Sequence, residues 1–308
     1  MNFTFQNHLK YSIGGRDFGF RQNSTEKFSV DIGSIDFEHY KRTTYFEELK
    51  RTADLIYKDF GKDLVIFLSG GTDSEIVARS FSEIGIRPKC CVVQFKDGYN
   101  QYDVQESITI AEELNLPIEV IDFDVKDFWK SGRAEEFGKK IQCSQITYLM
   151  IYYCIKQLSC PAIMGGEVLL KRHVGVEPSH WYYCFRENED ASAMRFSYTY
   201  NIPLVNEFFS YTPELLLSYL EDPTITTLVS TKYNYKLSSV STKNYVLKKL
   251  VPQIRTKDKK HGFEKLLGLN FLAYRDLLGK QIMRLEPSLD GIEFDKIIKR
   301  LKNQNENY

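Results

Sequence analysis

The chain has 308 residues, and its 41 Lys and Arg residues balance its 41 Asp and Glu residues, so its formal net charge is zero. This length permits one large domain or two, and the balanced charge removes any global attraction to nucleic acid or to an acidic membrane. The N-terminal residues lack the basic and apolar regions of a signal peptide, and the longest apolar segment, ITYLMIYYCI, is too short to span a bilayer. The six cysteines are scattered without a CxxC pair, which predicts reduced thiols in a cytoplasmic protein and argues against a zinc site.

Residues 1–60 are expected to form a small, β-rich N-terminal extension. Short strand-like pieces, with Gly14 and Gly15 as a turn, come before a helical pattern. That pattern, RTTYFEELKRTADLIYKDFG, places apolar residues on one side and ends at Gly61, a residue type that commonly terminates helices.

Residues 61–308 are expected to form the main domain, in which strand and helix patterns alternate. The predicted strands are DLVIFL, KCCVVQF, IEVIDFD and PAIMGG, and the predicted helices are SEIVARSFSEIG, DVQESITIAEELNL and QITYLMIYYCIKQL. In the second of these helices, Asp103 is the expected N-cap. The alternation predicts an α/β fold with a doubly wound, mainly parallel sheet that binds ligands at the carboxyl ends of its strands. From about residue 174 the alternation fades, and the rest is predicted to be mostly helical, in PELLLSYL, TKNYVLKKLV and EKLLGLNFLAYRDLLGKQIMRL.

The sharpest local signal is SGGTDS, between the first predicted strand and the first predicted helix of the main domain. Gly70 and Gly71 lack side chains, so the backbone can turn tightly and approach a ligand closely. The hydroxyls of Ser69, Thr72 and Ser74 are expected donors, and the start of the helix adds unpaired N–H groups and a partial positive charge. The segment therefore predicts an anion-binding loop with phosphate as its ligand. It fits neither a Walker A loop nor GxGxxG.

SGGTDS also matches the SGGxDS pyrophosphate loop of the ATP pyrophosphatases, and the chain resembles this superfamily. The resemblance implies an adenine nucleotide alpha hydrolase-like fold and cleavage of ATP into an adenylated substrate and pyrophosphate. It implies that ATP is bound by the loop itself, at Ser69, Gly70, Gly71, Thr72, Asp73 and Ser74. It further implies that Asp73 holds Mg²⁺ through the phosphates. The backbone of Val93 and Gln94, at the end of the second strand, would then bind the adenine.

Two further segments resemble the synthetase domain of asparagine synthetase. Gly165, Gly166 and Glu167 follow the predicted fourth strand where that family has Ser-Gly-Glu. The resemblance implies that the two glycines lie at the nucleotide and that Glu167 binds and orients the attacking amine. The residues Lys171, Arg172 and His173 follow in the chain and are candidates for binding pyrophosphate or an acidic substrate.

The second segment is VPQIRTKDKKHGFEKLLG, which contains the Lys-x-Gly-Phe pattern of the same family. The resemblance implies that Lys260 stabilises negative charge during formation and breakdown of the adenylate. Lys259 is the alternative candidate for this role, and Arg255 is expected to help. A weaker match, IPLVNEFF, places Asn206 where that family has an aspartate.

Two departures from the asparagine synthetase pattern bear on function. Position 2 is Asn rather than the catalytic Cys of a glutaminase domain, so the nitrogen is expected from ammonia, an amine, or a separate amidotransferase or carrier. Leu170 stands where that family has a magnesium-binding aspartate, so the completeness of the Mg²⁺ site stays open.

Three functions remain open at this point. The first is an ATP-dependent, amide-forming adenylating ligase that acts on a small-molecule carboxylate. The second is an RNA- or nucleobase-modifying enzyme, because the basic segment KKLVPQIRTKDKKHGFEK has the composition of an RNA-contacting surface. The third is a non-catalytic nucleotide-binding protein, because Leu170 replaces a metal ligand. No membrane partner is expected, and a nucleic-acid partner is disfavoured without being ruled out.

Overall fold

The structure, a computed structural model, describes residues 9–17, 19–33, 35, 41, 43–166, 170–172, 181–230, 240–255, 262, 266, 273 and 289–302. Three sheets and their surrounding helices make up this part of the chain. The elements follow in this order: β1 (Leu9–Ile13), β2 (Arg16–Asp17), β3 (Phe28–Ile32), α1 (Tyr45–Phe60), β4 (Val65–Phe67), α2 (Thr72–Glu83), β5 (Lys89–Phe95), α3 (Gln101–Glu113), β6 (Ile118–Phe123), α4 (Val125–Lys130), α5 (Arg133–Ile141), α6 (Ile146–Leu158), β7 (Ala162–Ile163), β8 (Leu170–Arg172), β9 (Trp181–Arg186), α7 (Asp190–Tyr200), β10 (Leu204–Val205), α8 (Pro213–Leu220), α9 (Pro223–Ser230), α10 (Val240–Leu250), β11 (Leu289–Glu293) and α11 (Phe294–Leu301).

The central sheet has the strand order β10-β7-β4-β5-β6, and all neighbouring strands are parallel. The chain enters this sheet at β4, in the middle, and runs outward through β5 to β6. It then crosses back to β7 and ends at β10. The prediction of a doubly wound, mainly parallel sheet is confirmed. The direction of winding reverses between β4 and β7, and the crevice at such a reversal is where sheets of this kind bind ligands.

Helices cover both faces of the central sheet, because its strands are apolar on both sides. Along β4 the side chains alternate: Ile66 packs into the core that contains α1, α2 and α3, and Val65 and Phe67 pack into the core that contains α4, α5 and α6. This period-two alternation orients the strand and thereby fixes the position of the loop that follows it.

An antiparallel N-terminal sheet, with the order β2-β1-β3, shares the first of these cores. The expected turn between its first two strands is present, since Gly14 and Gly15 have φ values of 59° and 75°. The helix predicted to end at Gly61 is α1, and the Gly61 N–H caps it by donating to the Tyr57 carbonyl.

The third sheet, with the order β11-β9-β8, is antiparallel, and the sequence did not indicate it. Its central strand β9 buries Tyr183 and Phe185, and the ring centroid of Phe185 lies 6.3 Å from that of Tyr11 in β1. The tyrosine-rich segment of β9 therefore serves the core.

A buried ion cluster joins the N-terminal extension to α7. The Arg21 guanidinium donates to both carboxylate oxygens of Glu187 at 2.7 and 2.6 Å, and Arg195 donates to the same carboxylate at 3.0 Å. All three side chains are at most 1% exposed. In this cluster two guanidinium groups share one carboxylate, and the contacts tie together segments that are more than 160 residues apart in the chain.

Several predicted elements differ from the structure. Helix α3 begins at Gln101 after Asn100, so Asp103 lies in its first turn and is not the N-cap. Helices α4 and α5 follow β6 in a segment for which no helix was predicted. The helix predicted over residues 264–285 falls outside the described residues, apart from residues 266 and 273. In the described part of the chain, no helix has both the length and the apolar character needed to cross a membrane.

Candidate functional site

A cleft with a volume of about 460 Å³ opens at the carboxyl ends of β4, β5 and β7. This volume lies within the range of about 300–1,000 Å³ that is usual for small-molecule sites. Its polar lining comes from the segment after β4, the start of α3, the start of α6, the segment after β9, and α10. The topology thus brings five separate parts of the chain to the crevice where the sheet reverses direction.

The glycine loop (residues 69–74) forms one wall of this cleft. Gly70 has φ +69°, and a Cβ at this position would lie 2.5 Å from the backbone oxygen of Asp103 in α3. Only glycine fits such a position without movement of the backbone. The Ser74 hydroxyl ties the loop together: it donates to the Gly71 carbonyl at 3.0 Å and accepts the Ser69 N–H at 3.1 Å.

The start of α2 points into the cleft without a side-chain cap. Its N-cap residue is Gly71, which has no side chain to accept the first N–H groups of the helix. A helix start without a side-chain cap is the kind of site that binds an anion. All three expected hydroxyl donors have partners within the protein, however, since the Ser69 hydroxyl lies 3.1 Å from that of Ser74. Thr72 donates to the Asn244 side-chain oxygen at 2.9 Å, and Ser74 donates to Gly71, so the backbone N–H groups are the principal anion donors.

A lysine from α10 reaches the glycine loop, and the sequence analysis did not identify it. The Lys243 Nζ lies 2.5 Å from the Asp73 Oδ2, and the two side chains are 20% and 25% exposed. Lys243 lies in the first turn of α10, where a positive charge opposes the helix dipole. A lysine at such an unfavourable position is a sequence feature that could have identified Lys243 as a candidate site residue. The pair brings a cation and a carboxylate to the cleft, at the first turn of the uncapped helix α2.

Val93, one of the two residues expected to bind adenine, lines the cleft at the end of β5. Its carbonyl accepts a hydrogen bond from the Asn100 side-chain amide at 2.8 Å. The Gln94 side chain donates to Asp122 on β6 at 3.1 Å and so turns toward the edge of the sheet. Val93 therefore lies in the wall of the cleft, and the role expected for the backbone of Val93 and Gln94 stays a prediction.

On the β7 side, Gly165 touches the glycine loop. A Cβ on Gly165 would lie 3.2 Å from both the Asp73 Cβ and the Ser74 backbone nitrogen. The segment after β7 and the start of α2 are thus in contact, as expected for strands on either side of the reversal. Glu167, Lys259, Lys260 and His173 lie outside the described residues, and the side chains of Lys171 and Arg172 do too.

The C-terminal segment that contains the Lys-x-Gly-Phe pattern approaches the sheet at Gly262. A Cβ on Gly262 would lie 2.7 Å from the backbone oxygen of Tyr99, next to the cleft residue Asn100. Arg255 contacts two helices of the main domain, and its expected helping role stays a prediction. Its guanidinium forms ion pairs with Glu113 and Glu106 on α3, and its backbone N–H donates to Glu75 on α2, so it fastens this segment to the two helices.

The cleft wall contains a second charged group, at the end of β9, that the sequence did not indicate. The Arg186 guanidinium lies 2.6 Å from the Glu189 carboxylate, which also accepts the Tyr148 hydroxyl at 2.9 Å. Glu189 is 6% exposed, whereas Arg186 is 25% exposed. Burial and the neighbouring Glu189 raise the pKa of Tyr148, so this phenol stays a neutral donor. The buried carboxylate and phenol therefore hold a partly exposed guanidinium at the cleft.

The residues present fit a metal ion that is shared with a nucleotide. Leu170 is 2% exposed and belongs to the main core, so no ligand comes from that position. Among the described residues, no cluster of three or more His, Cys, Asp and Glu side chains could hold a metal ion. Asp73 is a carboxylate of the kind that Mg²⁺ uses together with substrate phosphates, and it lies at the anion-binding helix start.

Comparisons with known proteins do not assign the chain to a family. No protein-family model matches it, and no curated protein matches it. An NMN synthetase structure from Francisella tularensis is 17% identical, with 84% of this chain and 92% of that chain covered and a TM-score of 0.34.

Two further solved structures are similarly distant. An NH3-dependent NAD synthetase from Campylobacter jejuni is 14% identical, with 43% of this chain and 58% of that chain covered and a TM-score of 0.30. A predicted subunit of tRNA methyltransferase from Methanocaldococcus jannaschii is 14% identical, with 60% and 87% covered and a TM-score of 0.31. Similarity at this level carries no information about the activity of this chain.

Proposed function

We propose that the protein is an ATP-dependent adenylating ligase that joins a small-molecule carboxylate to ammonia or an amine and releases AMP and pyrophosphate. The observation that carries this proposal is the arrangement at the reversal of the sheet. The uncapped start of α2, the Lys243 ammonium and the Asp73 carboxylate meet there in a cleft of about 460 Å³. These are the groups that a triphosphate with its Mg²⁺ requires.

The nucleotide occupies the half of the cleft between the glycine loop and β5. The N–H groups at the start of α2 and the Lys243 ammonium bind phosphate oxygens, and the backbone of Val93 meets the adenine. Asp73 would hold Mg²⁺, which supplies further positive charge to the phosphates. Lys243 already lies beside Asp73, so it exchanges one anionic partner for another when the triphosphate binds.

The carboxylate substrate occupies the other half of the cleft, where Arg186 anchors an anionic group. Glu189 and Tyr148 fix the orientation of the guanidinium, so little side-chain entropy is lost when it binds. A substrate carboxylate oxygen attacks the α-phosphorus, and the bond to pyrophosphate breaks. The roles that the resemblance implies for Glu167 and Lys260 remain part of this proposal.

The test is a screen of carboxylic acids, amino acids and amines for substrate-dependent release of AMP and pyrophosphate from ATP. The proposal predicts that both products appear in equal amounts for the right pair. It also predicts that Arg186→Met raises the KM for the carboxylate and leaves the Kd for ATP unchanged. Release of ADP and phosphate would refute it, and AMP release that depends on RNA would favour the modifying-enzyme alternative.

A further inference from the structure

A buried asparagine of α10 lies against the first turn of α2. Asn244 is 8% exposed and lines the cleft, and its side-chain oxygen accepts the Thr72 hydroxyl at 2.9 Å. Thr72 is the first residue of α2, and the residue that follows it, Asp73, is paired with Lys243. Two neighbouring side chains of α10 therefore meet two neighbouring residues at the uncapped start of α2.

The amide nitrogen of Asn244 has no hydrogen-bond partner among the residues that the structure describes. Thr72 donates to the amide oxygen, so the two N–H groups of the nitrogen are left as donors. This nitrogen is not enclosed by protein atoms, and the space that Asn244 lines is the cleft. A largely buried amide therefore presents a neutral donor to the cleft, directly beside the helix start.

Packing and one hydrogen bond fix the position of this donor. On the same helix, Val246 and Leu247 are at most 5% exposed and belong to the core that also contains Ile76 of α2. The Thr72 hydroxyl then fixes the rotation of the amide, because its proton is directed to the oxygen of Asn244. A donor that is already oriented loses little conformational entropy when a ligand binds.

We propose that the Asn244 amide donates to a phosphate oxygen of the bound nucleotide and of pyrophosphate, and that Thr72 is its positioning residue. The ligand at this place must offer acceptors, because the amide has only donors left. The uncapped start of α2 adds a partial positive charge and Lys243 adds a full one, so an anion is favoured. Phosphate oxygens meet both requirements.

The role of the Thr72 hydroxyl then differs from the one that the glycine-loop pattern predicts. The pattern makes the hydroxyl a direct phosphate donor, whereas here it acts through Asn244. The pairing joins a residue of the loop to a helix about 170 residues away in the chain. The use of the nucleotide to form AMP rests on the proposed function, whereas the contact between Asn244 and phosphate does not.

Isothermal titration calorimetry with inorganic pyrophosphate in metal-free buffer tests the contact. Asn244→Ala removes the donor and should raise the Kd about tenfold or more. Asn244→Asp preserves the shape and the hydrogen bond from Thr72 but replaces the donor with a carboxylate. This variant should raise the Kd about 100-fold, because the donor is lost and two anions repel each other.

The control for the added charge is Asn115→Asp. Asn115 is exposed and has φ 50°, a conformation that Asp also adopts, so the change should alter the Kd less than about twofold. A wild-type protein that does not bind pyrophosphate would overturn the proposal. The same holds if Asn244→Asp binds pyrophosphate as tightly as Asn115→Asp does. The Asp variant keeps this test decisive if Asn244→Ala fails to fold.

A double-mutant cycle tests the positioning role of Thr72. Thr72→Val removes the hydroxyl and keeps the shape, and it should raise the Kd for pyrophosphate about three- to tenfold when Asn244 is present. In the Asn244→Ala background the same change should have less than about a twofold effect, because the amide that Thr72 orients is gone. Equal effects in the two backgrounds would overturn the positioning role.

Assays with ATP separate this contact from the proposed function. With a carboxylic acid that gives AMP, Asn244→Ala should raise the KM for ATP and leave the KM for the acid unchanged. Pyrophosphate binding that depends on Asn244, without AMP release from any acid, amino acid or amine, would refute the proposed function and leave the phosphate contact standing.

Discussion

Replacing Lys243 with Met should weaken ATP binding while leaving the protein folded. A lysine about 4 Å from a phosphate charge gains about 4 kcal/mol at an effective dielectric constant near 20. Two costs offset part of this gain: desolvation of the phosphate and loss of the ion pair between Lys243 and Asp73. The two side chains of that pair are already largely shielded from solvent, at 20% and 25% exposure. Hydrogen bonds to charged groups contribute about 1.5–3 kcal/mol net. The Kd for ATP–Mg²⁺ should therefore rise by about 10- to 150-fold.

Isothermal titration calorimetry with a slowly hydrolysed ATP analogue measures this change directly. Lys249→Met is the matched control, since Lys249 lies on the same helix but its Nζ lies 5.7 Å from the centroid of the Tyr245 ring. The control should change the Kd by less than about twofold, as expected for an exposed charge. The assignment of Lys243 to the nucleotide site is refuted if the two variants bind equally well, or if Lys243→Met binds like the wild type.

Three further changes have defined outcomes. Gly70→Ala should destabilise the protein and reduce ATP affinity, because its φ of +69° costs a side-chain residue about 1–2 kcal/mol and its Cβ would meet a backbone oxygen at 2.5 Å. Glu187→Gln should lower the free energy of unfolding by about 3–5 kcal/mol, because it leaves two buried guanidinium groups without a carboxylate. Glu207→Gln should flatten the dependence of stability on pH. The folded protein keeps a proton on Glu207 that the unfolded chain releases above about pH 4.5, so wild-type stability falls as the pH rises from that value.

Urea unfolding measures the three effects on stability, calorimetry measures the ATP affinity of the glycine variant, and the first two changes have matched control variants. Gly85→Ala has the same backbone cost at φ +78° but no atom within 4 Å of the added Cβ, so it should preserve ATP affinity. Glu135→Gln removes an exposed ion pair with Lys139 and should cost less than about 1 kcal/mol. For Glu207→Gln, unfolding curves that stay parallel to those of the wild type from pH 4.5 to 8 would contradict the raised pKa.

The central sheet could be predicted from the sequence because its signals are local. A continuous apolar run such as DLVIFL identifies a strand that is buried on both faces, and the following glycines and helix pattern mark its carboxyl end. The strands of the third sheet could not be predicted in this way. Strand β8 has three residues and β11 pairs with β9 across about 100 residues of chain, so their pairing depends on contacts that no local pattern records.

The glycine loop was evident in the sequence, whereas most of the remaining site was not. Lys243 and Asn244 reach the loop from a helix about 170 residues away. Arg186 and Glu189 flank the end of β9, whose place beside the cleft follows only from the packed fold. The sequence also did not show that the Arg255 guanidinium forms ion pairs with carboxylates of α3. The positive charge of a residue did not show whether its side chain lines the cleft.

The most direct test of the account is a crystal structure of the protein with Mg²⁺ and an ATP analogue that cannot be cleaved between the α- and β-phosphates. We expect phosphate oxygens within hydrogen-bonding distance of the backbone N–H groups at the start of α2 and of the Lys243 ammonium. We also expect that Asp73 holds the metal ion and that the adenine lies beside Val93. A triphosphate bound elsewhere, with the ion pair between Lys243 and Asp73 intact and the glycine loop empty, would contradict this expectation.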